Sequence, residues 1–124
     1  MKKHIQFCSL SSGEVYTTLC HASQEGAYIS YIRGNRCQTD ESFFREVSAS
    51  FQFPYYFGEN WAAFDDCIQD LEWLSFSKIV MVVDDFSLAY KDDAEGKELL
   101  LRHLEKMAHY WATENIDIKI LLNN

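Results

Sequence analysis

The sequence predicts an α/β fold: a three-stranded parallel sheet with packed helices, extended at the N-terminus by a β-hairpin. Three observations carry this. Ile79 to Val83 (IVMVV) is a short unbroken apolar run, the pattern of a strand covered on both faces. Stretches with helical spacing lie before and after it, so the strands are joined by crossovers, and helical crossovers require parallel neighbours with right-handed connections. The N-terminal segment instead carries β-forming residues on either side of a turn-like Ser11-Ser12-Gly13-Glu14.

The elements follow in order. Ile5 and Phe7 alternate with polar neighbours, and Val15 to Leu19 is rich in β-branched and aromatic residues, which together read as the hairpin. Ala27 to Ile32 reads as the first core strand, ending at the turn signal Arg33-Gly34-Asn35. Asp40 to Ala49 places Phe43, Phe44 and Val47 on one face behind a cap at Thr39 or Asp40, and is predicted helical. Between Phe53 and Asn60 the chain turns: Pro54 biases Phe53 towards an extended conformation, Gly58 supplies backbone freedom, and Asn60 is the expected N-cap. From Asn60 to Leu71, Trp61, Phe64, Ile68 and Leu71 recur at helical spacing and mark a buried stripe, leaving Ala62, Asp65, Asp66, Gln69 and Asp70 on the other side. Glu95 to Ala112 gathers Leu100, Leu104, Met107, Ala108 and Trp111 in a stripe, and Ile116 to Leu122 closes the chain as a strand.

A chain of 124 residues that is 48% apolar has material for one packed core, so residues 1–124 read as a single domain, with 1–26 an N-terminal extension and 27–122 the core. No stretch approaches the length of apolar sequence that a membrane span needs, and the N-terminus has two lysines with no long apolar segment behind them; a soluble, cytoplasmic protein is expected. The four cysteines are too scattered for a disulfide scaffold, and His4, Cys8, Cys20 and His21 match no common zinc spacing, so no metal and no cofactor are expected.

The net charge of −8 sits in one segment: residues 58–95 hold ten acids and two lysines, and the segments on either side are neutral. A field of that sign repels nucleic acid and anionic membrane and favours encounter with a basic partner.

Tyr56, Phe57, Gly58, Glu59 and Asn60, followed on the helix by Asp66 and Cys67, give an aromatic pair, Gly-Glu-Asn, and an aspartate before a cysteine. Over Phe53 to Trp73 this resembles the barstar family, inhibitors of a secreted bacterial ribonuclease, and the element order of the core is similar. The resemblance implies a barstar-like fold and an immunity or antitoxin protein, not an enzyme, that blocks the active site of a toxin nuclease. The implied partner is a basic toxin, a ribonuclease in the first instance. The implied partner-binding residues are Tyr56, Phe57, Gly58, Asn60, Ala62, Asp65, Asp66 and Gln69, with Asp66 the anionic anchor and Tyr56 the ring that stacks in the active-site mouth. Phe57 is expected to pack beneath the helix and Tyr56 to be exposed. Ala62 stands where the family's best-known member has a carboxylate, and Asp65 where it has tryptophan.

Two other functions are open to the same sequence. Asp84-Asp85 at the end of a parallel strand, joined by Asp65, Asp66 or Asp70, would suit a metal-dependent phosphoesterase. A binding module without inhibitory action would use the same acidic face. No nucleophile with its base and no phosphate-cradling glycine loop is present as a motif.

Overall fold

The structure is a computed structural model and describes residues 4–124. Its elements are β1 (Ile5–Cys8), α1 (Ser12–Gln24), β2 (Ala27–Arg33), α2 (Asp40–Phe51), α3 (Trp61–Ile68), β3 (Lys78–Asp84), α4 (Ala94–Thr113) and β4 (Asp117–Asn123), with short 3-10 turns at Gly34–Arg36 and Phe86–Leu88. The α/β class is as predicted, but the sheet has four strands in the order β1-β4-β3-β2, every pair parallel.

The N-terminal β-hairpin is not formed. Val15 to Leu19 lies inside α1, and β1 joins the sheet as a fourth parallel strand, Ile5 beside Ile120 and Phe7 beside Leu122. The strand propensity of Val15, Tyr16, Thr17 and Thr18 is overridden by a capping box. The Ser11 hydroxyl accepts from the Glu14 N–H at 3.1 Å, and the Glu14 carboxylate accepts from the Ser11 N–H at 2.9 Å. Val15, Leu19 and Ala22, spaced by four and three, give the helix its apolar stripe. Gly26, at φ +86°, ends it in the left-handed conformation that suits glycine.

Helix placement follows from the strand order. The path β2, β3, β4 moves steadily across the sheet, and its helices α2, α3 and α4 pack on one face, against Ile32, Ile79, Met81, Val83, Ile118, Ile120 and Leu122. The step from β1 to β2 runs the opposite way, so a connection of the same hand must carry α1 over the other face. There Val15 packs with Val82 and Leu121, flanked by Cys8, Leu10 and Leu19. The run Ile79 to Val83 is therefore buried on both sides, as its composition predicted.

The large face holds an aromatic core in which Phe43, Phe51 and Phe64 are almost fully buried and rings run in contact from Tyr28 through Phe51 and Phe53 to Trp73. At the C-terminal end of the sheet, Gly34 lies so close to β3 that a Cβ would stand 2.5 Å from the Asp85 carbonyl oxygen. A side chain there would push the β2 and β3 ends apart.

Ser11→Ala removes the cap that starts α1 and is expected to lower stability by about 1 kcal/mol, roughly 4 °C in Tm for a chain of this size. An unchanged Tm in thermal unfolding would show that burial of Val15 and Leu19 holds α1 without the capping box.

Candidate partner-binding face

The turn before α3 is built as two pinned shoulders and a free apex. α2 ends at Gln52 in the left-handed conformation (φ +54°), and the Phe53 N–H donates to the Ser48 carbonyl at 2.9 Å. The Phe57 N–H then donates to the Pro54 carbonyl at 3.0 Å, closing a β-turn whose central residues are Tyr55 and Tyr56. Phe53 and Phe57 flank the turn and pack edge-to-face at 4.9 Å, with Phe57 also against Phe44 at 5.8 Å. Tyr55 is fully exposed and Tyr56 is 62% exposed, ring against ring at 5.8 Å. Phe57 inward and Tyr56 outward are as expected from the sequence; Tyr55, whose exposure the sequence leaves open, stands beside Tyr56 at the apex of the Pro-initiated turn.

The backbone reversal itself falls on Glu59 (φ +51°), not on Gly58. Gly58 leaves room for the cap: a Cβ there would lie 3.3 Å from Asn60 Nδ2, which donates to the Gly58 carbonyl at 3.2 Å, so the Asn60 side chain would have to give by a few tenths of an ångström. Asn60 caps α3 as predicted, its Oδ1 accepting from the Ala63 N–H at 2.8 Å. Its side chain is thus committed on both ends. Beside the cap, Asp40, Glu41, Glu59 and Asn60 surround an open recess of about 440 Å³ whose apolar lining is Phe44 and Trp61.

α3 is held from several directions. Phe64 and Ile68 are buried, and the indole N–H of Trp111 donates to the Ile68 carbonyl at 2.8 Å at the helix end. Trp61 stacks on Phe43 at 5.5 Å and on His103 of α4 at 4.2 Å, its ring nearly parallel to the imidazole. Its indole N–H donates to Asp40 Oδ2 at 3.2 Å, and the other oxygen of Asp40 accepts from the buried Tyr90 hydroxyl at 2.8 Å. Burial, then the Asp40 carboxylate, pushes the Tyr90 phenol strongly upward, which keeps it a donor.

The two adjacent acids of α3 part company. Asp65 turns towards α4, where Oδ1 lies 2.9 Å from His103 Nδ1 and Oδ2 accepts from Lys106 Nζ at 2.9 Å, leaving its side chain only 14% exposed. A carboxylate accepts only, so His103 Nδ1 carries the hydrogen. Asp66 points outward, and no hydrogen bond or ion pair among the described residues engages it. Asp70 and Glu72 continue the exposed acidic surface past the helix end, where Leu71 reverses the chain (φ +51°) with its side chain in the core. Tyr56 belongs to this patch: its phenol is raised by local desolvation and then by the negative charge of Asp70 and, less, of Glu72. Burial, then Asp66 and Asp70, raises the Cys67 thiol and keeps it protonated.

The residues singled out from sequence thus divide. Tyr56, Ala62 and Asp66 stand open on one surface; Gly58 and Asn60 are exposed but shape the turn and cap; Gln69 is half-buried at the C-cap; Phe57 and Asp65 hold the scaffold. Tyr55, Asp70 and Glu72 join the open surface. From the late helix, His103, Lys106 and Trp111 reach α3 with polar contacts.

Asp84 occupies a different place and serves a different end. Its Oδ2 accepts from the Tyr31 hydroxyl at 2.6 Å, and its Oδ1 from Asn123 Nδ2 at 2.9 Å and the Asp85 N–H at 3.1 Å. Asn123, buried in β4, also accepts from the Leu10 N–H at 2.6 Å and donates to the Leu10 carbonyl at 3.1 Å. These bonds tie the ends of β2, β3 and β4 to the loop that follows β1. Open α/β sheets commonly bind ligands at the carboxyl ends of their strands, and here Asp84 and Asn123 at that end are spent on the chain itself. Among the described residues no three His, Cys, Asp or Glu side chains converge, so Asp65, Asp66 and Asp70 do not join Asp84 and Asp85 as the phosphoesterase reading required. None of the described helices is long and apolar enough to cross a membrane.

The family profile described as Barstar (barnase inhibitor) matches residues 27–123. No curated protein matches the chain. The matched span begins at β2, so β1 and α1 lie outside it.

Two predictions follow from these contacts. Asp65→Ala strips His103 and Lys106 of their acceptor and is expected to cost about 1–3 kcal/mol in denaturant unfolding, whereas Asp66→Ala stays within about 0.5 kcal/mol; equal losses would contradict the division. Desolvation opposes ionisation of Asp84, but the bonds from Tyr31, Asn123 and Asp85 outweigh it and hold its pKa below the usual carboxylate value. The clamp therefore stabilises the fold fully above the unfolded-state pKa of about 4 and is lost as pH falls through the lower folded value. Asp84→Asn should flatten the acid limb of stability against pH; an unaltered limb would show that Asp84 is not part of it.

Proposed function

The chain belongs to the barstar family, and on that premise we propose that it is an immunity protein that binds a cognate toxin ribonuclease and blocks its active site with the face formed by Tyr55, Tyr56, Ala62, Asp66, Asp70 and Glu72. The observation that carries this is the unengaged Asp66 carboxylate on a helix fixed at both ends, with the exposed rings of Tyr55 and Tyr56 on the turn before that helix.

A ribonuclease grips phosphate with cationic and imidazole side chains. A carboxylate held rigidly at the right place satisfies the same donors through charge-assisted hydrogen bonds and offers no bond to cleave. Rigidity matters because ordering a mobile side chain or loop on binding subtracts from affinity. Here the order is supplied beforehand by Trp61 on His103, Asp65 on His103 and Lys106, and Trp111 on the helix end. The tyrosines add flat apolar area with a polar tip, suited to the mouth of a nucleotide-binding cleft. Asp70 and Glu72 widen the acidic field, which speeds encounter with a basic enzyme, an effect that ribonuclease and inhibitor pairs of this family are known to illustrate. Asp65, whose charge is answered within the chain, serves the face by positioning α3.

Association with the cognate ribonuclease is expected to weaken steeply with salt. Asp66→Ala should raise Kd by well over tenfold, a loss above about 1.4 kcal/mol, while Asp92→Ala, an equal change of charge on the exposed loop before α4, should alter it less than about threefold. Isothermal titration across a salt series measures both, and equal effects at the two positions would remove Asp66 from the centre of the interface.

A further inference from the structure

We propose that the chain forms a two-fold symmetric dimer by pairing the free edge of β1 with β1 of a second copy in antiparallel register, joining two four-stranded sheets into one. The proposal rests on β1 and α1, which lie outside the span matched to the family, and is independent of how the acidic face is used.

β1 is an edge strand, paired with β4 alone among the described residues. The carbonyls of His4 and Cys8 accept from the N–H groups of Ile120 in β4 and of Asn124 just past its end, at 2.8 and 3.0 Å. Inward and outward backbone groups alternate along a strand, so the N–H and C=O of Ile5 and Phe7 face away from β4. Such an edge is a template for another strand unless the sequence blunts it with charge, proline or a bulge. Ile5-Gln6-Phe7-Cys8 contains none of these, and Phe7 stands 64% exposed on it, touching only the edge of Phe86 among aromatic rings. The opposite edge of the sheet is blunted: the Arg33 N–H in β2 donates to Glu46 Oε1 at 3.2 Å, and the Arg33 guanidinium bridges the same carboxylate.

Charge favours a second copy as the occupant. With a net charge of −8 gathered in residues 58–95, two copies repel wherever that segment meets itself. From Ile5 to Gln24 the chain has one acid, Glu14, and no lysine or arginine, so this side lets two copies approach without that penalty. The segment also complements itself. With the two-fold axis at Gln6, Ile5 stands opposite Phe7 of the other copy and Phe7 opposite Ile5. All the outward backbone groups of both residues pair in closed hydrogen-bonded rings, and each Phe7 ring lies against the other copy's Ile5.

Sedimentation equilibrium of the full chain at a concentration on the order of 0.1 mM should give twice the 14.5 kDa of one chain. Phe7→Pro deletes an outward N–H without touching the bonds to β4 and should give a monomer whose circular dichroism is unchanged; Leu88→Ser, at another exposed apolar residue, should leave the dimer intact. Should Phe7→Pro unfold, Gln6→Cys in a Cys8→Ser, Cys20→Ser background decides, because the axis brings the two new thiols face to face and mild oxidation should link them across copies. A wild-type chain that sediments as a monomer, a dimer that survives Phe7→Pro, or a Gln6→Cys chain that does not cross-link overturns the proposal.

Discussion

The burial of β3 on both faces is the constraint from which the rest of the structure follows. A strand reading Ile-Val-Met-Val-Val has no side to offer water, so helices must cover it above and below. Three of them, α2, α3 and α4, arise from the connections that advance β2 to β3 to β4, and a common hand confines them to one face. The second face can be covered only by a connection that runs backwards across the sheet. That is what β1 and α1 provide, and it explains why β1 lies at the far edge of the sheet from β2.

The same arrangement creates the acidic face. α3 is short, lies on the crowded side of the sheet and is pinned by neighbours far away in sequence: Phe43 from α2, His103 and Lys106 from α4, and Trp111 at its end. A helix turns by about 100° per residue, so Asp65 and Asp66 cannot share a role. One faces α4 and is consumed in holding the helix; the other faces outward, where no hydrogen bond or ion pair among the described residues engages it. The rigidity of the outward face is obtained from the inward one.

Much of this was legible in the sequence, and the failures have physical causes. Strong periodic segments gave α2, α4 and the three core strands to within about two residues, because their apolar stripes have one way to be buried; α3 stops at Ile68, three residues short of the expected Leu71, where the chain turns left-handed. α1 was misread because four β-forming residues were weighed above the reciprocal pair Ser11 and Glu14, even though the apolar run at Ile79 to Val83 already asked for a helix on a second face. At the face itself, the cap at Asn60, the inward Phe57 and the outward Tyr56 could be read from local chemistry. The fate of Asp65 could not, since its partners lie 38 and 41 residues downstream and only packing brings them near. The same holds for Glu59, which takes the left-handed conformation although a glycine stands next to it.

The chain belongs to the barstar family, and Asp66, Asp70 and Glu72 carry the charge of its exposed face. The account stands on the claim that this face occupies the catalytic cleft of a ribonuclease. Titrating the cognate ribonuclease with the chain while following RNA turnover tests it most directly, with a mononucleotide as competitor for the cleft. Turnover should fall linearly to nothing at one equivalent, and the nucleotide should slow the onset of inhibition. A complex that forms at one equivalent and still cleaves RNA at the full rate would contradict it.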